Sequence, residues 1–487
     1  MSKAESRQFD VVIVGCGVAG LSAAVAALES GASVAILERS DIENRGGQTR
    51  WTEAMMRMKN ENEAADDFES HFAENSGHYL DPVLVNEAAG DYENWSSIVK
   101  VLNFTDPELI STLTDRAGPT LQWLKAHGVR FDLQPGGYFI TTCTTRLAPV
   151  GGGRAIVEAM AMAAEKGGAT FFYHTTARRL LQDDEGAVCG IEAVGPGNRA
   201  VRFQAGAVIL ASGGFQGNPE MLTHYLGTDA RYLRPVARGG YYNKGEGIRM
   251  ALAAGAAPAG DYGQIHAEPL DPRSGAPEPI VLVFSYGILV NKLGQRFIDE
   301  APTTVDATYE NITRHILKQP EGIAWVILDA KLNDVPNWRR SVRSDQPPVS
   351  AETLADLAVK LGIDTSALEL TVAQYNAACG DGKFDPLVAD GLRTAVDYQP
   401  SKLNWARPID TGPFMAYPVI CGNCFTFGGI KTNARGQVVN ADGETIPGLY
   451  AAGEMTGLYY GTYTGATSVL RGAVFGRIAG SEAVHRD

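Results

Sequence analysis

Residues 9–38 read FDVVIVGCGVAGLSAAVAALESGASVAILE, and their pattern decides how the chain folds. Residues 9–14 are a short apolar run suited to a buried parallel strand, and it leads without a gap into Gly15-Cys16-Gly17-Val18-Ala19-Gly20. Small and apolar residues then recur at helical spacing over residues 21–29. Gly31 stops that helix, and residues 33–37 read as a second strand ending at Glu38. The first glycine permits a tight turn, the second lets backbone approach a pyrophosphate, and the third lets helix and strand pack closely. Amides at the helix N-terminus face the phosphates, and Glu38, about 18 residues past the last glycine, is spaced to accept from ribose hydroxyls. Strand, loop, helix, strand and acid agree, so the segment reads as an adenine-dinucleotide site.

Composition sets the outer bounds. A chain of 487 residues exceeds what one core usually organises, so two domains are expected. The 45% hydrophobic and 20% charged content is that of a globular protein. A formal net charge of -14 argues against a nucleic-acid partner, which needs clustered Lys and Arg to displace phosphate counterions. The cysteines Cys16, Cys143, Cys189, Cys379, Cys421 and Cys424 are too sparse for a disulfide scaffold and suit a reducing compartment. Cys421-Gly422-Asn423-Cys424 has no second pair to complete a metal site, so no metal is expected, and plain burial outweighs a redox dithiol. Residues 1–8 lack the layout of a signal peptide, and apolar runs such as residues 11–14 and 207–211 fall far short of the roughly 20 residues a membrane helix needs. A cytoplasmic protein without membrane insertion is the expectation.

Two further glycine segments select among dinucleotides. Gly46-Gly47-Gln48-Thr49-Arg50 follows the second strand closely, and residues 446–454, ending Ala451-Ala452-Gly453-Glu454, look like a strand closing on a glycine and an acid. With Gly151-Gly152-Gly153, Ala211-Ser212-Gly213-Gly214-Phe215, Asn404-Trp405-Ala406 and Phe425-Thr426-Phe427-Gly428-Gly429 they form an ordered series spanning nearly the whole chain. In that series the chain resembles the flavoprotein family of fumarate reductases, succinate dehydrogenases and ketosteroid dehydrogenases, and within it the tricarballylate dehydrogenase branch.

The resemblance implies an α/β fold: a Rossmann-like FAD-binding domain, residues 1–260 and 426–487, interrupted by an α+β capping domain, residues 261–425, with the active site between them. The Pro-rich residues 267–279 and the polar, broken residues 336–348 suit cap loops. It carries cofactor contacts onto Gly15, Gly17, Val18, Ala19 and Gly20, onto Glu38 and Arg39, and onto Gly46, Gly47, Gln48, Thr49 and Arg50. Further contacts fall on Gly152 and Gly153, on Ala177, on Ala211, Ser212 and Gly213, and on Gly453 and Glu454. Gln48 stands where many members carry a flavin-linking histidine, so the FAD is expected to be non-covalent. Ser468 and Val469 open a final helix, residues 469–479, whose first amides would face the flavin pyrimidine.

Hydride transfer at carbon needs a group that handles the accompanying proton, and acidic substrates need Arg or His. By resemblance His266 matches a carboxylate-binding histidine, beside the equal alternative of an ordinary hinge residue. Residues 289–300 read as a hairpin around a Gly turn, which makes Arg296 and Glu300 structural. The family's proton-shuttling arginine is missing from Pro302-Thr303-Thr304-Val305, Phe425 replaces a histidine, and Thr462-Tyr463-Thr464 replaces an arginine. What remains is aromatic and hydroxylic: Tyr463 is the favoured proton group, with Tyr459, Tyr460, Thr464, Tyr286 and Tyr417 nearby candidates and cap packing their plain alternative. Arg407 and Arg50 could meet an anionic substrate or be ordinary charges.

The expected function is FAD-dependent transfer of hydride across a carbon-carbon bond next to a carbonyl or carboxyl, on a small-molecule substrate with an unidentified electron donor or acceptor. The alternatives are a tricarballylate-like polycarboxylate dehydrogenase, held by Arg407, Arg50 and His266, and an electron-transfer flavoprotein subunit of a larger complex. The chain has no cluster-binding cysteine series of its own for the second.

Overall fold

The computed structural model describes residues 5–75, 81–133 and 146–485, and Cys143 lies outside them. The opening unit is β1 (Glu5–Val14), α1 (Val18–Glu29) and β2 (Val34–Leu37), with β1 and β2 parallel in the register Val11↔Val34. The strand starts before residue 9 because its polar beginning pairs along residues 201–205. The helix starts at Val18, since Gly17 holds the extended N-cap conformation. After α2 (Pro107–Ala126) and α3 (Gly152–Lys166) come β3 (Thr170–Phe172), β4 (Thr176–Gln182), β5 (Val188–Gly195) and the long β6 (Arg199–Leu210).

The chain then builds a second sheet from β7 (Ile265–Leu270), β8 (Ile288–Asn291), α4 (Val305–Leu317), β9 (Ile323–Leu328) and β10 (Phe414–Thr426). It returns to the first sheet as β11 (Gln437–Val439) and β12 (Thr445–Ala451), and closes with α5 (Ser468–Glu482). The first sheet runs β11-β12-β6-β1-β2-β3, with β5 and β4 added antiparallel beside β6. The second runs β7-β10-β9-β8 and is antiparallel along that path. The expected hairpin is present: Gly294 turns with φ +75 and Val290 bridges Arg296, whose guanidinium is buried against Glu300 at 2.6 Å.

Both faces of the parallel centre of the first sheet are covered, which is why residues 11–14, 34–37 and 207–210 are apolar. Val11, Ile13, Val34 and Ile36 face α1, α3 and α5, while Val12, Val14, Ala35 and Leu37 face the opposite core. The second sheet divides in the same way, with Leu289, Val326 and Val419 on one face and Ile288, Ile327 and Ala416 on the other. Among the described residues no helix is long and apolar enough to cross a membrane.

Helices α1 and α5 lie almost backbone to backbone. A Cβ at Gly476 would stand 2.3 Å from the Ala19 carbonyl oxygen, and one at Gly480 would stand 2.2 Å from that of Ala23. Overpacking a tight core commonly costs about 1–3 kcal/mol, so Gly476→Ala is expected to lower stability by about that amount in urea unfolding. An unchanged midpoint would mean that the two helices can part without cost.

Candidate active site

The glycine loop at the C-terminal end of β1 opens a cleft of about 400 Å³, within the usual range for ligand sites. Gly15 has φ +100, and a Cβ there would lie 2.5 Å from the Ala211 carbonyl oxygen, so a side chain would force β1 and β6 apart. Gly20 does not line the cleft; a Cβ there would lie 2.0 Å from the Gly15 carbonyl oxygen, and its role is close helix packing. Gly15, Gly17, Val18 and Ala19 all reach the cleft wall. Glu38 closes that end, its Oε2 accepting from the Cys16 amide at 3.1 Å and its Oε1 from the Ser40 amide at 2.8 Å. Each oxygen keeps a lone pair for a hydroxyl donor. Arg39 lines the same end, paired with Glu246 at 2.8 Å.

The Gly46 turn folds back onto the loop: the Thr49 hydroxyl accepts from the Val18 amide at 3.1 Å. Gly47, Gln48 and Thr49 line the cleft, whereas Gly46 faces the Val157 methyls of α3. Besides Gly20 and Gly46, three further expected cofactor contacts lie off the cleft. Arg50 turns away from the cleft to bond Glu158 at 2.6 Å. Gly152 and Gly153 pin the start of α3 against this turn, a Cβ at Gly153 lying 1.8 Å from the Thr49 carbonyl oxygen, and neither reaches the cleft.

Ala177, Ala211, Ser212 and Gly213 continue the wall toward Gly453 and Glu454. Glu454 ties the two sheets together, accepting from the Thr426 amide at the end of β10 at 2.9 Å and from the Asn243 amide group at 3.2 Å. Burial pushes its carboxyl above the ordinary range. Gln48 crosses the same junction, its Nε2 donating to the Cys424 carbonyl at 2.9 Å. Ser468 and Val469 bring the first turn of α5 to the far end.

His266 stands at that far end on β7, buried but lining the cleft. Its Nδ1 lies 3.3 Å from Glu310 Oε2, its Nε2 lies 3.8 Å from Glu268 Oε1, and its ring is centred 4.4 Å from that of Tyr463. Tyr463 lines the cleft too, but its hydroxyl is engaged. It accepts from the Thr467 and Ser468 amides at 3.0 Å each and donates to Ser468 Oγ at 3.1 Å, capping α5. Phe425 packs edge-on against Tyr463 at 4.9 Å.

Other expected residues lie elsewhere. Tyr286 donates to the Pro386 carbonyl at 2.8 Å and packs on Phe384 and Trp405, away from the cleft. Arg407 lies across the Phe384 ring and bonds Asp334 at 2.7 Å, so it cannot hold a substrate in the cleft. Tyr417 is buried in the second sheet's core. Tyr459 bonds Thr467, and Tyr460 accepts from the Gly260 amide, both as packing groups. Cys421 and Cys424 point to opposite faces of β10, as residues three apart on a strand must, so the CxxC forms no dithiol.

Sequence reading missed the polar face of the cap. Asp306, Tyr309 and Glu310 reach the cleft from one side of α4, at helical spacing, and Glu268, Glu278 and Arg343 join them. Arg57 and Arg146 enter from before the cap, Arg57 buried against Asp67. His266, Glu268 and Cys424 place donor atoms within 4.8 Å of one another, fewer than the four of a closed zinc site. Burial and the neighbouring carboxylates push the Cys424 thiol well up, which disfavours the thiolate a metal needs.

A family model described as an FAD binding domain matches residues 10–470. The NADH:acrylate oxidoreductase of Vibrio harveyi is 28% identical over 99% of this chain and 51% of its own length, so the chain spans about half of that protein. The fumarate reductase (cytochrome) of Shewanella frigidimarina is 28% identical over 99% of this chain and 78% of its own length. Among solved structures, the 3-ketosteroid-delta4-(5alpha)-dehydrogenase from Rhodococcus jostii RHA1 in complex with 4-androstene-3,17-dione superposes with a TM-score of 0.67. It is 26% identical, covering 100% of this chain and 99% of that one.

Glu278 gives the cleft a measurable pH signature. Burial, with the Glu268 charge nearby, pushes its carboxyl up to about 8, although Arg343 lies 3.3 Å away. Between about pH 4.5 and 8 the unfolded chain releases this proton while the folded chain keeps it, so stability falls as pH rises through that window. Glu278→Gln is expected to lose less stability than the wild type between pH 5 and pH 8, read from urea midpoints. Parallel losses in the two proteins would contradict the assignment.

Proposed function

This chain belongs to the FAD binding domain family, its cofactor is FAD, and from that premise we propose that it moves hydride across a carbon-carbon bond adjacent to a carbonyl group of a small molecule, with His266 handling the proton. The residues present fit the cofactor. A glycine turn at Gly15 that admits no Cβ leads to Glu38 at one end, and the N-terminus of a 15-residue helix meets the cleft at the other. Gln48 lines the same space, and its side-chain oxygen is buried without a partner. Gln48 also offers no nucleophile at the position of a flavin-linking histidine, which supports non-covalent binding. The proposed boundaries put residues 1–260 and 426–487 around the cofactor and residues 261–425 over the substrate.

Bound FAD supplies a carrier that takes or gives a hydride at carbon. The chain must then hold the substrate, exclude water and manage one proton. One observation carries the assignment of that proton to His266: it lines the cleft with its Nδ1 held 3.3 Å from Glu310 and its Nε2 3.8 Å from Glu268, a second cleft residue. The Glu310 carboxylate fixes the ring and favours the tautomer with hydrogen on Nδ1, leaving Nε2 to take or return the proton on the substrate's α or β carbon. Tyr463 serves as the floor on which the imidazole rests, since its hydroxyl is committed to α5.

The cap face favours a carbonyl over a dicarboxylate. Glu268, Glu278 and Glu310 line it, and of the three groups nominated to hold a polycarboxylate only His266 reaches the cleft. The names of the relatives agree on carbon-carbon bonds next to a carbonyl or carboxyl, in acrylate, fumarate and a 3-ketosteroid. Their electron donors differ, and the partner of this chain is taken to be a separate redox carrier. Unpaired Cys16, Cys421 and Cys424 suit a cytoplasmic setting.

The test is anaerobic stopped-flow absorbance of the bound flavin. Reduced protein is mixed with acrylate, fumarate or a cyclic enone, and oxidised protein with the matching saturated ketone. A carbonyl compound is expected to change the flavin spectrum, His266→Gln to slow that change by about 100-fold or more, and Tyr463→Phe to slow it far less. A His266→Gln protein as fast as the wild type, with FAD still bound, would remove His266 from the reaction.

A further inference from the structure

Glu268 stands two residues beyond His266 on β7, and both line the cleft. One oxygen of its carboxylate, Oε2, is buried without a hydrogen-bond partner, and the other lies 3.8 Å from His266 Nε2. The guanidinium groups on this side are already taken. Arg343 holds Glu53 at 2.6 Å and Glu278 at 3.3 Å, Arg314 holds Glu310, and Arg146 lies 3.9 Å from Asp306. Glu268 forms no ion pair with Lys or Arg among the described residues, and the Cys424 thiol, within 4.8 Å of it, is a weak donor. A carboxylate placed in this way lacks the donors that normally offset its burial.

The neighbours of Glu268 register its charge. Burial first, and the Glu268 charge next, push the Glu278 carboxyl up to about 8 and hold the Cys424 thiol and the Tyr309 phenol well above their ordinary values. All three keep their protons at neutral pH, so the negative potential stays centred on Glu268. Aromatic rings surround the same corner. His266 packs 5.8 Å from Tyr309, 5.2 Å from Phe425 and 4.4 Å from Tyr463, and all three rings line the cleft. A carboxylate short of donors beside aromatic rings suits an ammonium ion, which it holds by charge, hydrogen bond and ring quadrupole together.

Resting on the function proposed above, we propose that Glu268 sets the substrate class by binding a protonated amine carried by the carbonyl compound on which His266 acts. The 3.8 Å between the Glu268 carboxylate and His266 Nε2 puts that nitrogen a few bonds from the carbon that exchanges its proton. The ammonium donates to Oε2, the oxygen left without a partner, and its positive charge offsets the crowding of Glu268 and Glu310 on the cap face. The rival is that Glu268 only holds His266 in place. In that case a substrate with an amine and one with a methyl group bind alike.

Two stable amides of equal shape separate these readings, 4-aminobutanamide and pentanamide, in which a methyl group replaces the ammonium. Their binding to oxidised holoprotein is measured by calorimetry at pH 7. The wild type is expected to bind 4-aminobutanamide about tenfold or more tightly than pentanamide, as one hydrogen bond to a charged group allows. Glu268→Gln is expected to bring that preference to about twofold or less. Glu268→Asp keeps the charge, is expected to retain most of the preference, and serves as the folded comparison if the Gln variant proves unstable. Equal affinities in the wild type would overturn the proposal. A preference that survives in Glu268→Gln would overturn it by assigning the amine to another carboxylate, and equal weakening of both amides would do so by making Glu268 a support of the fold. Stopped-flow mixing of reduced holoprotein with (E)-4-aminobut-2-enamide and (E)-pent-2-enamide completes the test, with faster flavin oxidation expected for the amine. A flavin that neither compound oxidises, in protein that keeps the binding preference, would sink the hydride reading and leave the amine site standing.

Discussion

The structure depends on a backbone contact that only glycine allows, the approach of α5 to α1 through Gly472, Gly476 and Gly480. These two helices are far apart in sequence, yet each turns its N-terminus to the same cleft. Helix N-termini attract negative charge because their first amides are unpaired and their dipoles align. Side-chain spacing between the helices would separate the two positive ends and lengthen the path from the glycine loop to Ser468. The cleft is therefore a product of helix packing as much as of its lining residues.

A second constraint joins the two sheets. β10 begins in the cap sheet and ends with the Thr426 amide on Glu454, while Gln48 and Gln216 both donate to the Cys424 carbonyl. These bonds set His266, Phe425 and Tyr463 against one another in a single aromatic group. The charge in the cleft is correspondingly divided. Acidic groups line the cap face, Glu268 and Glu310 with the Glu278 carboxyl that burial raises, and Arg471, a buried guanidinium that forms no ion pair among the described residues, lies on the side of α5. A neutral carbonyl compound meets no repulsion from such a cap, whereas a dianion does.

The opening unit was legible because its information is local: strand, glycines, helix and Glu38 follow one another in sequence and each has a steric reason for its place. The start of α5 at Ser468 was legible for the same kind of reason. The chemistry was less so. Tyr463 looked free to accept a proton, but a turn through Ala466, at φ +63, carries the chain back so that the Tyr463 hydroxyl meets the amides of residues 467 and 468. Tyr286 and Arg407 carry suitable groups, yet face Pro386, Phe384 and Asp334, contacts made between loops and short helical turns that no motif records. Arg50 sits beside a glycine pair, and its turn aims it at Glu158 on α3. The polar stripe of α4 had a readable signal in Asp306, Tyr309 and Glu310 at positions i, i+3 and i+4, and Arg57 and Arg146 had none, since their places in the cleft come from distant packing.

A crystal structure of the purified protein with its FAD tests the central claim most directly. The account places the adenosine against Glu38, the pyrophosphate on the amides beside Gly17, and the flavin ring between the first turn of α5 and His266. Density for the ring on the other side of α5, or a cleft between Glu38 and His266 that holds no FAD after reconstitution, would contradict it.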